Sequence, residues 1–329
     1  MAKIVFPDLD VGRIRFAVSP MWETVASLRA AQTVRPGSFH HRWAAAVRAS
    51  ITAGELRTLR ALVPPSGHLA DFLTPIPPRR HMTFAAELAQ VASADAEDVL
   101  ADLHHLLSAQ RDPELRQVLG HGLDDVEGLR RRAGDELRRH WTTSVEPLWK
   151  RVRAVAEADV SWRLEQMADA GPRRVLETLH PRVRLEQNAL SVTTSCPPSE
   201  GGDWDHGMVL VPCAFAWPDV LCLTTPGRTP TLSYAPRGVG RLWEDAMAPR
   251  RALTDLVGRT RADAVARLDL PMSTTQLADA LAVAAPTMSA HLQILRRAGV
   301  VTATRRGRSV LYARTSLGDH LATVDDVPG

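Results

Sequence analysis

Residues 273–312 read STTQLADALAVAAPTMSAHLQILRRAGVVTATRRGRSVLY. Ser273 and Gln276 form an S-x-x-Q pair, which predicts a helix start because each side chain can cap the other residue's backbone amide. Leu277 and Leu281 follow at helical spacing and place an apolar stripe on one face. The stretch therefore opens with a short amphipathic helix.

A second, longer helix follows after a tight turn. Met288, Leu292 and Leu295 repeat at i, i+4 and i+7, so they share one face that we expect to be buried. Gly299 follows Arg296 and Arg297 after one alanine, and this combination is typical of a helix end, where cations meet the negative end of the helix dipole.

The last part of the stretch predicts a hairpin. Residues 300–304 and 309–314 alternate like two paired strands, and the arginine-rich segment 305–308 forms the turn between them. Helix, turn, helix and hairpin in this order are the layout of a winged helix-turn-helix. In that fold the second helix enters a DNA major groove and the hairpin, or wing, contacts the flanking backbone.

The residues outside the buried stripe of the second helix are the candidate readers of DNA. A three-helix core has no need of several arginines at one hairpin tip, so the wing arginines are the candidate backbone contacts. Arg259 and Arg261 are further candidates, although solvation of a helix explains them nearly as well. The predicted base-edge and nearby phosphate contacts are Thr287, Ser289, Ala290, His291 and Gln293, and the predicted backbone or minor-groove contacts are Arg305, Arg306 and Arg308.

At these residues the chain resembles the ArsR-like winged helix-turn-helix regulators. The shared segments are PTMSAHLQILRRAGVV, the RRGRSVLY wing and the preceding LTDLVGRTRADAVARL, so the resemblance covers about 253–315. Two departures are Ala282, where glycine is common in the turn, and Ala284, where a Ser or Thr N-cap is common. The resemblance implies a transcriptional regulator that binds double-stranded operator DNA, and we expect a repressor. We also expect a homodimer, because one such module covers only a few base pairs.

The metal-sensing branch of that family places Cys pairs or His/Asp clusters near the DNA-binding helix or in a terminal helix. This chain has no cysteine after Cys222, and the first helix of the motif carries only Asp279 as a hard ligand. We therefore expect no metal ligands at the family's usual positions, and no cofactor.

Composition bounds the rest of the chain. The 329 residues suffice for two or three domains, and no apolar run approaches the length of a membrane span. An apolar signal core is absent from the N-terminus. Three cysteines, Cys196, Cys213 and Cys222, are too few for a disulfide framework, so a cytoplasmic location is expected.

Charge is distributed unevenly. From residue 250 onward there are eleven arginines and seven aspartates, with no lysine or glutamate, which gives a net charge of +4. The other 249 residues therefore carry −1 of the total of +3. The basic excess lies in the segment where phosphate contacts would require it.

The predicted fold class is α+β. Residues 1–247 are expected to form a mostly helical effector-sensing or dimerisation domain, helical over 1–188 with a small antiparallel sheet over 189–236. Residues 248–320 form the winged helix, and 321–329 form a tail. Predicted helices occupy 40–62, 83–92, 94–109, a segment from Asp112-Pro113, and 124–186 with breaks at Gly134, Pro147 and Gly171-Pro172; predicted strands occupy 189–194, 208–217, 220–225 and 231–234, and a connecting helix occupies 239–247.

The amino-terminal part also resembles a large domain of unknown function that precedes the winged helix in some ArsR-like regulators. The segments that carry this resemblance are SPMWETVASLR and LVPCAFAWPDV with the later PTLSYAPRGVGRLWE. It implies an architecture and no particular chemistry.

Aromatic residues are scarce overall, yet several cluster around the predicted sheet. They would either line an apolar pocket for a small organic effector or form the core of the sheet, and the core interpretation is favoured. Trp141, Trp149 and Trp162 lie on the long helical region and would pack against that sheet or across a dimer seam. The candidate pocket residues are Trp204, Phe215, Trp217, Tyr234 and Trp243.

Other polar groups are weaker candidates. Adjacent histidines, as at 40–41 and 104–105, point about 100° apart on a helix and do not form a two-histidine metal site. Asp203, Asp205 and His206 fit a solvated hairpin loop better than a ligand site. Cys213 and Cys222, which would face each other across paired strands, are expected to be buried thiols.

We find no nucleophile elbow, phosphate-cradling glycine loop or H-E-x-x-H segment, so the sequence does not predict an enzyme. Two alternatives to a regulator stay open. The amino-terminal domain would be an enzyme tethered to a DNA-binding module, or the winged helix would bind another protein in place of DNA.

Overall fold

The computed structural model divides into two compact units, residues 1–242 and 243–329. The division falls a few residues before the predicted boundary at 247. The structure describes residues 2–6, 11–33, 41–52, 54–186, 189–194, 207–224, 228–242, 251–268, 271–306 and 309–323.

The amino-terminal unit is mainly helical, as predicted. Several helix starts follow directly from capping chemistry, because the side chains of Thr83, Asp95 and Asp112 each accept a hydrogen bond from a backbone amide in the first turn. Its helices are α1 (Pro20–Thr33), α2 (His41–Thr52), α3 (Arg57–Leu62), α4 (Phe84–Ala92), α5 (Ala96–Ala109), α6 (Pro113–Asp124), α7 (Val126–His140), α8 (Glu146–Ala170) and α9 (Pro172–Glu177).

The long helical region departs from the prediction in three places. Gly134 does not break α7. It is buried where α7 packs against α4, and tertiary contacts override the low helix propensity of glycine. The chain passes from α7 to α8 through a π-helical turn, Trp141–Val145, and Pro147 lies in the first turn of α8, where a proline removes no helical hydrogen bond. The helical path ends at Glu177 and not at 186.

The strands form two sheets and not one small antiparallel sheet over 189–236. The first sheet has the order β1–β4–β3 and is antiparallel throughout. The second has the order β2–β5–β7–β6, in which β2, β5 and β7 are parallel and only β6 is antiparallel to its neighbour. The strands are β1 (Ala2–Phe6), β2 (Arg15–Phe16), β3 (Val183–Glu186), β4 (Ala189–Thr194), β5 (Val209–Pro212), β6 (Leu221–Leu223) and β7 (Thr231–Tyr234).

Three strands of the second sheet are buried along their whole length. Full burial of β5, β6 and β7 is typical of strands covered on both faces in parallel sheets. The first two strands of the chain also join these sheets, although the sequence predicted a helical region from residue 1. They pair with partners about 190 residues later, and hydrophobic periodicity gives no information on such distant pairing.

A buried carboxylate joins the helices to this sheet. Asp159 of α8 accepts hydrogen bonds from the Arg163 Nε atom at 2.8 Å, the Tyr234 hydroxyl at 2.7 Å and the Arg237 backbone amide at 3.1 Å. The side chains of Asp159 and Arg163 are 0% and 2% exposed, and the guanidinium lies 4.7 Å from the centre of the Tyr234 ring. Burial and the Asp159 charge raise the pKa of the Tyr234 hydroxyl well above its usual value.

A second buried carboxylate ends β5. Glu23 of α1 accepts hydrogen bonds from the backbone amides of Ala214 and Phe215 at 2.7 and 3.3 Å and from the Cys213 thiol at 3.0 Å. Because these amides are bound by a side chain, the chain leaves the sheet after Pro212 in a short 3-10 turn, and the predicted strand 208–217 is wrong beyond that point. Burial raises the pKa of Glu23 to about 7, against the hydrogen bonds that lower it.

The carboxy-terminal unit has the predicted order of elements. Its three strands form one antiparallel sheet in the order β8–β10–β9. No described helix in either unit is long and apolar enough to cross a lipid bilayer. The elements are α10 (Arg251–Val257), α11 (Arg259–Arg267), β8 (Met272–Ser273), α12 (Thr274–Leu281), α13 (Ala285–Arg297), β9 (Val301–Arg306), β10 (Ser309–Arg314) and α14 (Ser316–Thr323), which runs past the predicted start of the tail at 321.

We expect Asp159→Ala to lower the free energy of unfolding of the amino-terminal unit by about 3–5 kcal/mol, because the buried Arg163 guanidinium would lose its counter-charge. The matched control is Glu157→Ala on the same helix. Glu157 pairs at the surface with Arg153 of its own helix and with His81, so its loss should cost no more than about 1 kcal/mol. Urea denaturation of both variants measures the difference, and equal losses would contradict the role given to Asp159.

Candidate nucleic-acid interface

The first helix of the motif, α12, begins as the sequence predicts. The Ser273 hydroxyl accepts a hydrogen bond from the Gln276 amide at 3.3 Å, and the Gln276 side chain accepts one from the Ser273 amide at 2.9 Å. The predicted capping box is therefore confirmed. Leu277 and Ala278 are buried against α11 and α13, which fixes the position of α12 within the unit.

The turn between α12 and α13 contains a strained residue. Ala282 has a φ of 52° and a ψ of 42°, the left-handed region that glycine occupies more readily. Ala284 follows as the N-cap of α13 without a side-chain hydrogen bond, so both departures from the usual family residues have a structural consequence. The turn holds its shape because the helices on either side are anchored by buried side chains.

The second helix of the motif, α13, has the predicted buried face. Met288 and Leu292 are fully buried and Leu295 is 2% exposed. The opposite face is open: Thr287, Ala290 and Gln293 are exposed, so the structure brings together three of the five predicted reading residues.

The other two predicted reading residues lie at the borders of this face. Ser289 and His291 are half-buried, and the His291 Nδ1 atom is buried without a hydrogen-bond partner in the described part of the chain. Both side chains were predicted to face outward, and both are only partly open to solvent. Their positions flank the buried stripe, since one residue advances about 100° around a helix.

Two further residues of the open face were not predicted from the sequence. Ile294, which is 39% exposed, and the exposed Arg297 follow Thr287 and Ala290 at spacings of three and four residues. These four residues define the outer stripe of α13. Helical spacing identified the buried stripe, and the same spacing identifies the outer stripe once the apolar Ile294 is included in it.

The first strand of the wing is longer than predicted. β9 extends to Arg306, so Arg305 and Arg306 belong to the strand and not to the turn; the ladder continues because Arg305 is paired with Val310 and Arg306 with Ser309. Arg305 is exposed. The Arg306 side chain and the whole of Arg308 lie outside the described residues.

The base of the wing is fixed to the rest of the unit by Arg314. Its Nη1 atom donates to the Val265 carbonyl at 3.3 Å and its Nε atom lies 3.1 Å from an Asp319 carboxylate oxygen. In α11, the Arg261 Nε atom donates to the Val257 carbonyl at 2.5 Å, so this arginine caps the preceding helix. Arg259 is exposed.

Two family models match the chain. Residues 258–303, from α11 to the start of β9, match the family described as a helix-turn-helix domain. Residues 258–303 are a helix-turn-helix domain of the ArsR/SmtB type. Residues 104–239 match a family of unknown function, DUF5937, so the amino-terminal unit carries a domain of that family.

Similarity to curated proteins is confined to a short segment. The chain is 56% identical over 45 residues to the HTH-type transcriptional repressor SmtB of Mycobacterium tuberculosis, in both strain CDC 1551 and strain H37Rv. That segment is 14% of this chain and 31% of the repressor, so the chain spans about a third of the length of these relatives. No solved structure matches the chain.

Outside the helix-turn-helix domain, the predicted aromatic pocket is described only in part. Phe215 and Tyr234 are both buried: the Phe215 ring packs 4.4 Å from that of Trp43, and Tyr234 bonds to Asp159. Trp217 is half-buried. Trp204 and Trp243 lie outside the described residues, so a pocket formed by all five stays a prediction.

The remaining polar candidates are dispersed. Cys213 and Cys222 are buried thiols, but they do not face each other across paired strands, because β7 lies between β5 and β6. Asp203, Asp205 and His206 lie outside the described residues.

Trp141 stacks on Phe84 of α4 with ring centres 4.7 Å apart, so it packs within the helical layer.

We expect Ala282→Gly to stabilise the helix-turn-helix domain by about 1 kcal/mol, because glycine adopts the left-handed conformation without the steric cost paid by alanine. The matched control is Ala280→Gly, at an exposed position two residues earlier inside α12. There the same substitution should destabilise by about 1 kcal/mol. Thermal denaturation followed by circular dichroism compares the two, and the same sign for both would contradict the strain assigned to Ala282.

Proposed function

We propose that the protein is a DNA-binding transcriptional regulator, and specifically a repressor. The observation that carries this proposal is the outer stripe of α13, exposed on a rigid helix-turn-helix domain beside a wing that carries Arg305. A helix held by its buried face presents its opposite face to a major groove, and an adjacent basic hairpin suits the phosphate backbone.

Charge and similarity both support DNA as the partner. The segment from residue 250 onward carries a net charge of +4, and its arginine side chains would neutralise phosphates and release counterions. The 45-residue similarity is to proteins named as HTH-type transcriptional repressors. Repression and operator binding are transferred here as a proposal, because only this segment is shared.

We further propose that the protein acts as a homodimer in the cytoplasm. A single recognition helix covers only a few base pairs, and two-fold pairing on an inverted repeat is the usual route to useful affinity. Two buried thiols without a disulfide, Cys213 and Cys222, fit a reducing compartment.

For the amino-terminal unit we propose control by a small organic effector rather than catalysis. Its serine–histidine pair, Ser27 and His140, has a hydrogen-bond distance of 2.7 Å, but the two residues are 0% and 2% exposed. A substrate has no access to that pair, and burial lowers the pKa of His140 to about 3. An effector that prefers one conformation would alter DNA affinity through an energetic coupling.

We expect the double variant Thr287→Ala, Gln293→Ala to lose discrimination between the selected operator and random duplexes. Each lost base contact should cost about 1–3 kcal/mol on the operator alone, which is roughly a tenfold loss for every 1.4 kcal/mol. The operator is first obtained by selection from random duplexes with the unmodified chain. The matched control is Thr275→Ala, an exposed threonine on α12, which should leave the ratio of affinities unchanged.

Two outcomes of that experiment would contradict the proposal that the exposed face of α13 reads the DNA sequence. An unchanged ratio in the double variant would show that other residues read the sequence. Failure to enrich any duplex with the unmodified chain, together with binding that persists at high salt to a protein partner, would favour the winged helix as a protein-binding module.

For the wing, we expect Arg305→Ala to weaken binding to all duplexes to a similar extent. The slope of log affinity against log salt concentration should become shallower by about one, as one phosphate contact is lost. Replacing Arg306 and Arg308 as well should extend the effect. The control is Arg173→Ala, an exposed arginine of α9; an Arg305 variant with the slope of this control would exclude a wing–phosphate contact.

A further inference from the structure

Three potential ligand side chains meet within the amino-terminal unit. His68 and Asp71 lie in the connection between α3 and α4, and Asp102 lies in α5. One ligand atom from each residue lies within 4.8 Å of the others. His68 and Asp102 are 34 positions apart in the chain, so no local sequence pattern relates them.

The closest pair is hydrogen-bonded. The His68 Nε2 atom lies 2.9 Å from the Asp102 Oδ1 atom, and an ion bound by both atoms would replace the proton between them. Two atoms at this separation, each about 2.05 Å from a metal ion, subtend an angle of about 90° at the ion. Opening the pair by roughly 0.4 Å would give the tetrahedral angle, which needs only a small side-chain rotation.

The Asp102 carboxylate is already oriented by its surroundings. Its second oxygen, Oδ2, accepts a hydrogen bond from the Phe72 backbone amide at 3.0 Å, and the residue is only 6% exposed. Metal-binding carboxylates and imidazoles are held in this way by outer contacts, which fix the lone pair that meets the ion. Asp71, the residue before Phe72, is carried on the same 3-10 turn.

The loop that carries His68 is also braced. Arg29 of α1 donates to the Pro64 carbonyl from Nε at 3.1 Å and to the Gly67 carbonyl from Nη2 at 2.7 Å. These bonds hold the backbone directly before His68.

We propose that His68, Asp71 and Asp102 bind a divalent transition-metal ion, and that the ion is Zn²⁺. One imidazole and two carboxylates form a mixed nitrogen and oxygen donor set, which suits Zn²⁺ better than the oxygen-only preference of Mg²⁺ or Ca²⁺. His105 is available as a fourth ligand. It lies one helical turn after Asp102, is exposed, and its ring centre is 4.4 Å from that of His68.

The test is a titration of the full-length, tag-free, metal-depleted chain with Zn²⁺, followed by calorimetry, and with Co²⁺, followed by its visible absorption. We expect one ion per chain at this site and a higher melting temperature in the presence of Zn²⁺. Mg²⁺ should produce neither effect at the same concentration. Absence of saturable Zn²⁺ binding would overturn the proposal.

Variants assign the ion to these residues. His68→Gln and Asp71→Asn should each weaken Zn²⁺ binding by about 100-fold or more, since they remove a direct ligand, whereas loss of an outer contact costs about 10–100-fold. Asp102→Asn keeps an acceptor for the Phe72 amide and should weaken binding similarly without unfolding the loop. The circular dichroism spectrum of each variant without metal should match that of the unmodified chain.

The matched control is His104→Gln, next to the candidate fourth ligand. The exposed His104 side chain bonds to the Leu100 carbonyl of its own helix, so its replacement should leave Zn²⁺ affinity and the Co²⁺ spectrum unchanged. Zn²⁺ binding that survives both His68→Gln and Asp71→Asn in folded protein would place the ion elsewhere in the chain and overturn the assignment.

Discussion

The burial of one apolar stripe determines the candidate interface. Met288, Leu292 and Leu295 can leave water only by packing against α11 and α12, and a helix fixed by this face must present Thr287 and Ala290 outward. The strained turn at Ala282 sets the angle at which α13 leaves α12. The identity of the exposed side chains can then vary without disturbing the fold, and this freedom allows a helix-turn-helix domain to read different DNA sequences.

The helix-turn-helix domain was predictable because its signals are local. Each signal lies within one or two helical turns: the capping box at Ser273, the buried apolar stripe of α13 and the helix end at Gly299. The exposure of Ser289 and His291 was predicted less well, since residues at the border of a buried stripe are covered according to neighbours that the spacing does not reveal. The strand assignment of Arg305 and Arg306 depended on pairing with the opposite strand rather than on turn composition.

The amino-terminal unit was only partly predictable from local sequence signals. Its helices were largely predicted from caps and periodicity, whereas the two sheets depend on partners that are distant in the chain. Buried charges add a constraint that no pattern indicates: Glu23 takes the amides that would have continued β5, and Asp159 joins α8 to β7. The His68, Asp71 and Asp102 group was missed for the same reason, since its members meet only after α5 packs beside the loop that follows α3.

The pairing of β1 with β4 has a consequence for biosynthesis. Ala2 lies opposite Thr194 and Arg15 lies opposite Val209, so neither amino-terminal strand has its partner until most of the first unit has left the ribosome. The helices, whose contacts are local, can form during translation, and closure of both sheets is a late event. A fragment limited to residues 104–239 would lack β1 and β2 and would expose the edges that they cover, which is a known route to aggregation.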